Sequence, residues 1–239
     1  MNATEYFRAG KLNEAITALN QEVRDDPGNV RQRTFLFELL CFAGEFDRAE
    51  KQLDVLAQGG RNFEMGGLVY RAALHAERER QRFFQSKEYL QHTTPAQPRS
   101  GELNGTPFQS LLDADPRIGT RLEVFVAGNY MWVPFEHIES IEMQPPKRLR
   151  DQLWAPVILR TGEGFPIRDL GEVMVPVLSP SSARHADDQV RLGRLSVWEG
   201  DEEGNEVPFG QKLLLMDGEE FSLLDLRKLQ FATTAAAAS

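Results

Sequence analysis

Apolar residues along the first 92 positions recur at three- and four-residue spacing, the period of helices with one buried face, and Pro27 is the only proline among them. From residue 104 the pattern changes. Short runs rich in Val, Ile, Phe and Leu alternate with Gly, Asn, Pro and Asp punctuation, as in a string of short strands. The change predicts an α+β protein with a helical domain over 1–92 and a β-rich domain over 104–232. The polar, proline-bearing segment 93–103 serves as linker between them, and 233–239 is a frayed, alanine-rich tail.

The helical part repeats itself. Ala9-Gly10-Lys11-Leu12-Asn13-Glu14-Ala15 returns as Ala43-Gly44-Glu45-Phe46-Asp47-Arg48-Ala49 at an offset of 34 residues, the tetratricopeptide period. In each copy a glycine turns the chain between two helices, a bulky residue plugs the gap, and a small alanine lets the helices approach closely. A third helix over about 64–89 lacks this turn and caps the stack, since two repeats alone leave an apolar edge uncovered. Stacked pairs present a hollow suited to a partner's helix. The register assigns its lining to Arg31, Thr34, Glu38, Cys41 and Phe42, and to Met65, Leu68, Ala72 and His75 on the third helix. The alternative for the third-helix set is packing beneath the second domain.

In the second part, Leu122 to Val126 and Tyr130 to Phe135 flank Gly128-Asn129, a hairpin signal. Further strands are expected at Ile138–Met143, Val157–Arg160, Val173–Leu178, Arg191–Trp198, Lys212–Met216 and Glu220–Leu224. They imply a curved antiparallel sheet or a small barrel.

Composition narrows the chemistry. Of 27 basic and 36 acidic side chains, residues 1–100 hold 14 of each, so the net charge of −9 lies entirely in the second part. Neither part offers the basic surface that nucleic acid or anionic lipid requires. With one cysteine, an acidic N-terminal segment and no apolar run long enough to span a bilayer, the sequence reads as cytoplasmic.

No catalytic constellation stands out. Asp113 and Asp115 resemble paired carboxylates that hold a divalent ion, with His137 as a third participant in a metal- or sugar-phosphate-dependent enzyme. The simpler reading has both aspartates capping local amides and pairing with Arg117. His75, His92, His137 and His185 lack metal-ligand spacing, the glycines do not form a phosphate loop, and Cys41 sits mid-helix among Leu39, Leu40 and Phe42 as a small core residue. The expectation is no enzyme, no metal and no cofactor.

Several motifs resemble the ImpE family, also called TagJ or SciE type, an accessory component of bacterial type VI secretion. They are Asp113-Ala-Asp115-Pro-Arg117-Ile-Gly119, Leu122-Glu123-Val124, and Gly128-Asn-Tyr130-Met-Trp132-Val-Pro134-Phe135-Glu136-His-Ile138. Arg150-Asp151-Gln-Leu153-Trp154, Leu192-Gly193-Arg194, Trp198-Glu199, Gly210-Gln211-Lys212 and Leu223-Leu224-Asp225-Leu226-Arg227 add to the likeness. The charges among them, Asp113, Asp115, Arg117, Arg150, Asp151 and Arg194, are expected to form a partly buried salt-bridge network. Trp132, Trp154 and Trp198 are expected to pack in the core or between domains. The resemblance implies a non-enzymatic adaptor that binds the N-terminal helix of the small sheath subunit, TssB or VipA, and connects it to the ClpV unfoldase. A scaffold unrelated to secretion is the alternative. Family members carry a longer helical stretch after the segment matching Ala76 to Gln81, whereas here the chain passes directly into the linker.

Overall fold

The computed structural model describes residues 1–59, 61–92, 98–162, 164–167, 169–200 and 204–232. Five helices come first: α1 (Ala3–Arg8), α2 (Leu12–Asp25), α3 (Val30–Phe42), α4 (Phe46–Ala57) and α5 (Arg61–Gln85). Local chemistry sets their limits. Asn2 and Glu5 form a reciprocal capping box at the start of α1, and the Asn29 side chain accepts from the Gln32 amide at the start of α3. Gly10 and Gly44, the two glycines of the repeated motif, hold φ of +74° and +71° between α1 and α2 and between α3 and α4. Any other residue is strained there. Leu12, Ala15, Ile16 and Leu19 on α2 and Phe46, Ala49 and Leu53 on α4 are buried, one stripe per helix.

A strand-bearing segment begins inside the stretch expected to be linker. Strands β1 (Gly101–Leu103), β2 (Thr106–Phe108), β3 (Leu111–Asp113), β4 (Arg121–Val126), β5 (Asn129–Pro134), β6 (Ile138–Met143), β7 (Trp154–Thr161) and β8 (Asp169–Pro176) follow in order. A short helix α6 (Asp188–Arg191) precedes β9 (Val197–Gly200), β10 (Glu206–Phe209), β11 (Leu213–Met216), β12 (Glu219–Ser222) and β13 (Lys228–Phe231).

Among the described residues the strands form three antiparallel sheets, of order β2-β1-β13-β6-β7-β8-β4-β5, β12-β11-β3 and β10-β9. Among the described residues the large sheet has two ends, β2 and β5, so the barrel alternative does not hold. At one end β2 is three residues long and carries Pro107, which cannot donate to a further strand. Alternation is clear in β7, where Ala155, Val157, Leu159 and Thr161 are buried while Pro156, Ile158 and Arg160 face out. Register shifts interrupt the ladders at Ile138/Ser140 and at Leu159/Arg160, the latter across from Gly171 in a left-handed conformation. Leu103, Phe108, Phe135, Ile141, Val157, Val175, Leu214, Leu229 and Phe231 belong to a single apolar core.

The chain divides into two compact units: residues 1–82, 127–129 and 178–211, and residues 83–126, 130–177 and from Lys212 onward. This division does not follow the linear boundary expected between 92 and 104. Residues 178–211 join the helices because their side chains reach them. Asp188 accepts from the Asn13 amide at 3.2 Å, Arg191 donates to Asn13 at 3.1 Å, and Arg194 donates to the Arg8 carbonyl at 3.2 Å. The strand expected over Arg191–Trp198 is replaced by α6, capped by Asp187 and followed by left-handed Gly193, with β9 starting only at Val197. Residues 93–97 of the expected linker and the expected tail 233–239 lie outside the described residues.

Candidate functional site

Three of the positions expected to line a partner groove are enclosed instead. On α3, Glu38, Cys41 and Phe42 are 8%, 3% and 0% exposed, so their side chains belong to the interior. Leu36, Phe37, Leu39 and Leu40 are buried as well, so the second half of α3 is enclosed on all sides. Helix α5 supplies part of the cover: Tyr70 meets Phe37 with ring centroids 5.7 Å apart. Burial pushes the Cys41 thiol well above its usual range, and Glu38 and Glu77 add to the effect. Such a thiol is a poor nucleophile.

The earlier α3 positions are different. Arg31 is exposed, and Thr34 is half-buried with its hydroxyl donating to the Val30 carbonyl at 2.8 Å. On α5, Ala72 and His75 meet the β4–β5 turn. Ala72 lies 3.3 Å from where a Gly128 side chain would begin, and His75 Nδ1 is 2.9 Å from the Gly128 carbonyl. That turn uses Ala127 and Gly128, at φ of +50° and +87°, one residue earlier than the Gly128-Asn129 reading. Leu68 is 64% exposed, with Val69 beside it at 49%. The Met65 side chain lies outside the described residues.

The motif charges of the other unit converge more tightly. Asp113 ends β3, Glu123 lies on β4, and Lys212 immediately precedes β11, the strand that pairs Leu214 with Asp113. Asp113, Glu123 and Lys212 are 3%, 0% and 1% exposed. Lys212 Nζ sits 2.7 Å from Asp113 Oδ2 and also pairs with Glu123 Oε2. The Tyr130 hydroxyl donates to Glu123 Oε1 at 2.7 Å and in turn accepts from Trp132 Nε1. Asp113 Oδ1 accepts the Asp115 amide at 2.9 Å, and Asp115 grips Arg117 through both oxygens at 2.8 and 2.6 Å.

Aromatic rings surround these charges. Phe83 meets Trp132 at 4.9 Å and Tyr130 at 5.6 Å, while the Arg117 and Arg121 guanidinium groups each stand 5.1 Å from a ring, of Phe84 and Trp132. Burial pushes the Asp113 carboxyl up to about 7 against the pull of Lys212, with Asp115 and Glu123 adding to the rise. Two carboxylates held by Lys212 and Arg117 have little left to offer a cation. Among the described residues no three His, Cys, Asp or Glu side chains gather where an ion could be held. His137 instead lies beside Phe165, with ring centroids 5.6 Å apart.

The remaining motif residues have separate roles. Asp151 accepts from the Lys147 and Arg148 amides at 2.8 and 2.9 Å, capping a local turn, and neighbouring Arg150 is half-buried. Arg194 does not join the charge network: it lies 4.7 Å from the centre of the Phe7 ring, among the helices. Trp154 is 4% exposed in β7, and Pro134 closes β5 ahead of a 3-10 turn. Trp198 departs from the core expectation at 37% exposed, because among the described residues no further strand covers the outer side of this two-stranded ribbon. The residue that sequence reasoning missed is Lys212, quoted only as part of a motif. A lone lysine directly before a Leu-Leu-Leu strand is the signal that could have marked it as buried.

Comparison with known proteins agrees with these motifs. A family model described as ImpE protein matches residues 105–230, just over half of the chain. A type VI secretion system accessory component, TagJ of Pseudomonas aeruginosa, is 31% identical over 99% of this chain and 93% of its own length. The crystal structure of protein VPA1032 from Vibrio parahaemolyticus superposes with a TM-score of 0.85 at 24% identity, covering 97% of both chains. That likeness concerns the fold.

Proposed function

Because the chain belongs to the ImpE family, we propose that it is an accessory component of a bacterial type VI secretion system that works by binding rather than by catalysis. The observation that carries this reading is the near full-length identity to TagJ. The finer reading is that the helical unit captures the N-terminal helix of the small sheath subunit, TssB or VipA, and connects it to the ClpV unfoldase in the cytoplasm. It takes the two helix pairs as tetratricopeptide-like repeats, on the strength of the 34-residue offset and the matching Gly10 and Gly44 turns.

An amphipathic helix needs an apolar strip to lie on. Phe42 is enclosed and cannot supply one, so the contact falls on what α5 leaves uncovered, Leu68 and Val69. No described helix is long and apolar enough to cross a membrane.

The test mixes the purified full chain with the small sheath subunit of the same bacterium, followed by calorimetry at micromolar concentrations. A complex is expected, and none forming defeats the partner assignment. Leu68→Asp leaves an already exposed position exposed and should weaken binding by about tenfold or more. Unaltered affinity would move the contact away from α5.

A further inference from the structure

The Asp113, Glu123 and Lys212 cluster combines three features seldom found together. A primary amine lies against a carboxyl group, a second carboxylate touches the same nitrogen, and all three are shut away from water. Held as ions, they place one positive and two negative charges in a buried site, which is costly for every charge not fully compensated. We propose that Lys212 and Asp113 become joined, once the chain has folded, by an isopeptide bond from the lysine Nζ to the aspartate Cγ, with Glu123 carrying the proton and one water leaving.

The chemistry closes without any added reagent. A proton passes from the Lys212 ammonium to Asp113 Oδ2, giving a neutral amine beside a neutral acid, the form that burial favours. The nitrogen lone pair then attacks Cγ, a C–N bond forms, and the carbonyl pair moves onto Oδ1. The Asp115 amide, 2.9 Å from that oxygen, steadies the charge. Glu123 Oε2, already in contact with Nζ, takes the excess proton from nitrogen and returns it to the hydroxyl at Oδ2. The C–O bond breaks, water departs with the bonding pair, and Oδ1 regains its double bond. The nitrogen ends with one hydrogen and Glu123 ends as the carboxylate it began as.

Position supplies the drive. In water an amine and an acid remain apart as ions, but a fixed contact between Nζ and the carboxyl group replaces a bimolecular encounter, and a buried site removes the solvent that would reverse the step. Glu123 is itself fixed, since the Tyr130 hydroxyl occupies Oε1 at 2.7 Å and leaves Oε2 turned to the lysine. The bond would tie β3 to the chain entering β11, two strands that already pair. An amide there would replace charges that the fold otherwise has to keep buried.

Intact-mass spectrometry of the purified full chain reads the result directly. The expected mass is lower than the sequence mass by one water, and a tryptic digest should contain one branched peptide uniting the Asp113 and Lys212 segments. Glu123→Gln should leave the mass at its unmodified value, and Lys212→Arg, which keeps the cation, should do so as well. Unmodified mass in the native chain after prolonged incubation at neutral pH overturns the proposal, and needs no variant to fold. A water loss that survives in Lys212→Arg overturns it too. Full cross-linking in Glu123→Gln would remove Glu123 from the step.

Discussion

The two compact units deal with charge in opposite ways. In the helical unit the ion pairs joining α4 to α5 lie mostly outside: Arg71 with Asp54, and Arg78 with Asp47 and Glu50, the Asp47 side chain being 91% exposed. Two pairs in this unit are more enclosed, Arg80–Glu77, with Arg80 also donating to the Leu178 carbonyl, and Arg191–Asp188. In the strand-rich unit, three charged groups from β3, β4 and the approach to β11 meet in the interior. Where charge stays outside, apolar periodicity and two glycine turns are enough to fix the helices. Where it is buried, polar groups decide how strands distant in sequence come together, and removing one partner leaves the others stranded.

The largest predicted effect breaks the second arrangement. Lys212→Met keeps a long side chain but leaves Asp113 and Glu123 facing each other without their cation. Stability should fall by about 3–5 kcal/mol in urea titration. A loss below about 1 kcal/mol would mean that the cluster contributes no more than a surface pair.

A second measurement sharpens the contrast through pH. The Asp113 carboxyl is raised from 3.8 to about 7 in the folded chain, so the folded state binds the extra proton between those values. Its contribution is complete below the unfolded value and is lost as pH rises toward 7. The experiment uses the Glu123→Gln chain, in which Asp113 keeps a free carboxyl while burial, the main cause of its shift, is unchanged. Stability should decline as pH rises above about 4, over a shorter range than in the native chain because the Glu123 charge no longer adds to the rise, and adding Asp113→Asn should flatten that slope. A slope of the same size in both chains would assign the titration to another group.

Much of this contrast could be read from residue order. The helices, the hairpin around Gly128 and the strand Ile138–Met143 follow from patterns within a few residues, and the strand is observed at those limits. The Asp115–Arg117 pairing was also local and readable. Lys212 was not, because its partner Glu123 is 89 residues away and no periodicity joins them. The ladders β1–β13 and β6–β13 are likewise hidden, since the first and last strands of the segment pair over its whole length. Glu38, Cys41 and Phe42 are enclosed rather than facing a groove for a reason that was visible. From Leu36 to Phe42 the run is almost wholly apolar, which signals a helix enclosed on every side rather than one with a face to offer.

The smallest effect is expected where the helical unit is well supplied with ion pairs. Arg78 reaches Asp47 and Glu50 at 2.8 Å each, geometry that would be strong if enclosed. Yet Arg78 is itself 31% exposed and its two partners are more so, so water screens the pairs and ordering three mobile side chains offsets most of the attraction. Arg78→Met retains the stem that covers neighbouring apolar surface while removing the charge, and should change stability by less than about 1 kcal/mol. Raising the salt concentration should narrow the difference further, since exposed pairs weaken with ionic strength and enclosed ones hardly do. A salt-independent loss as large as that of Lys212→Met would show that α4 and α5 are held together by charge, and the distinction between the two units would then fail on the helical side.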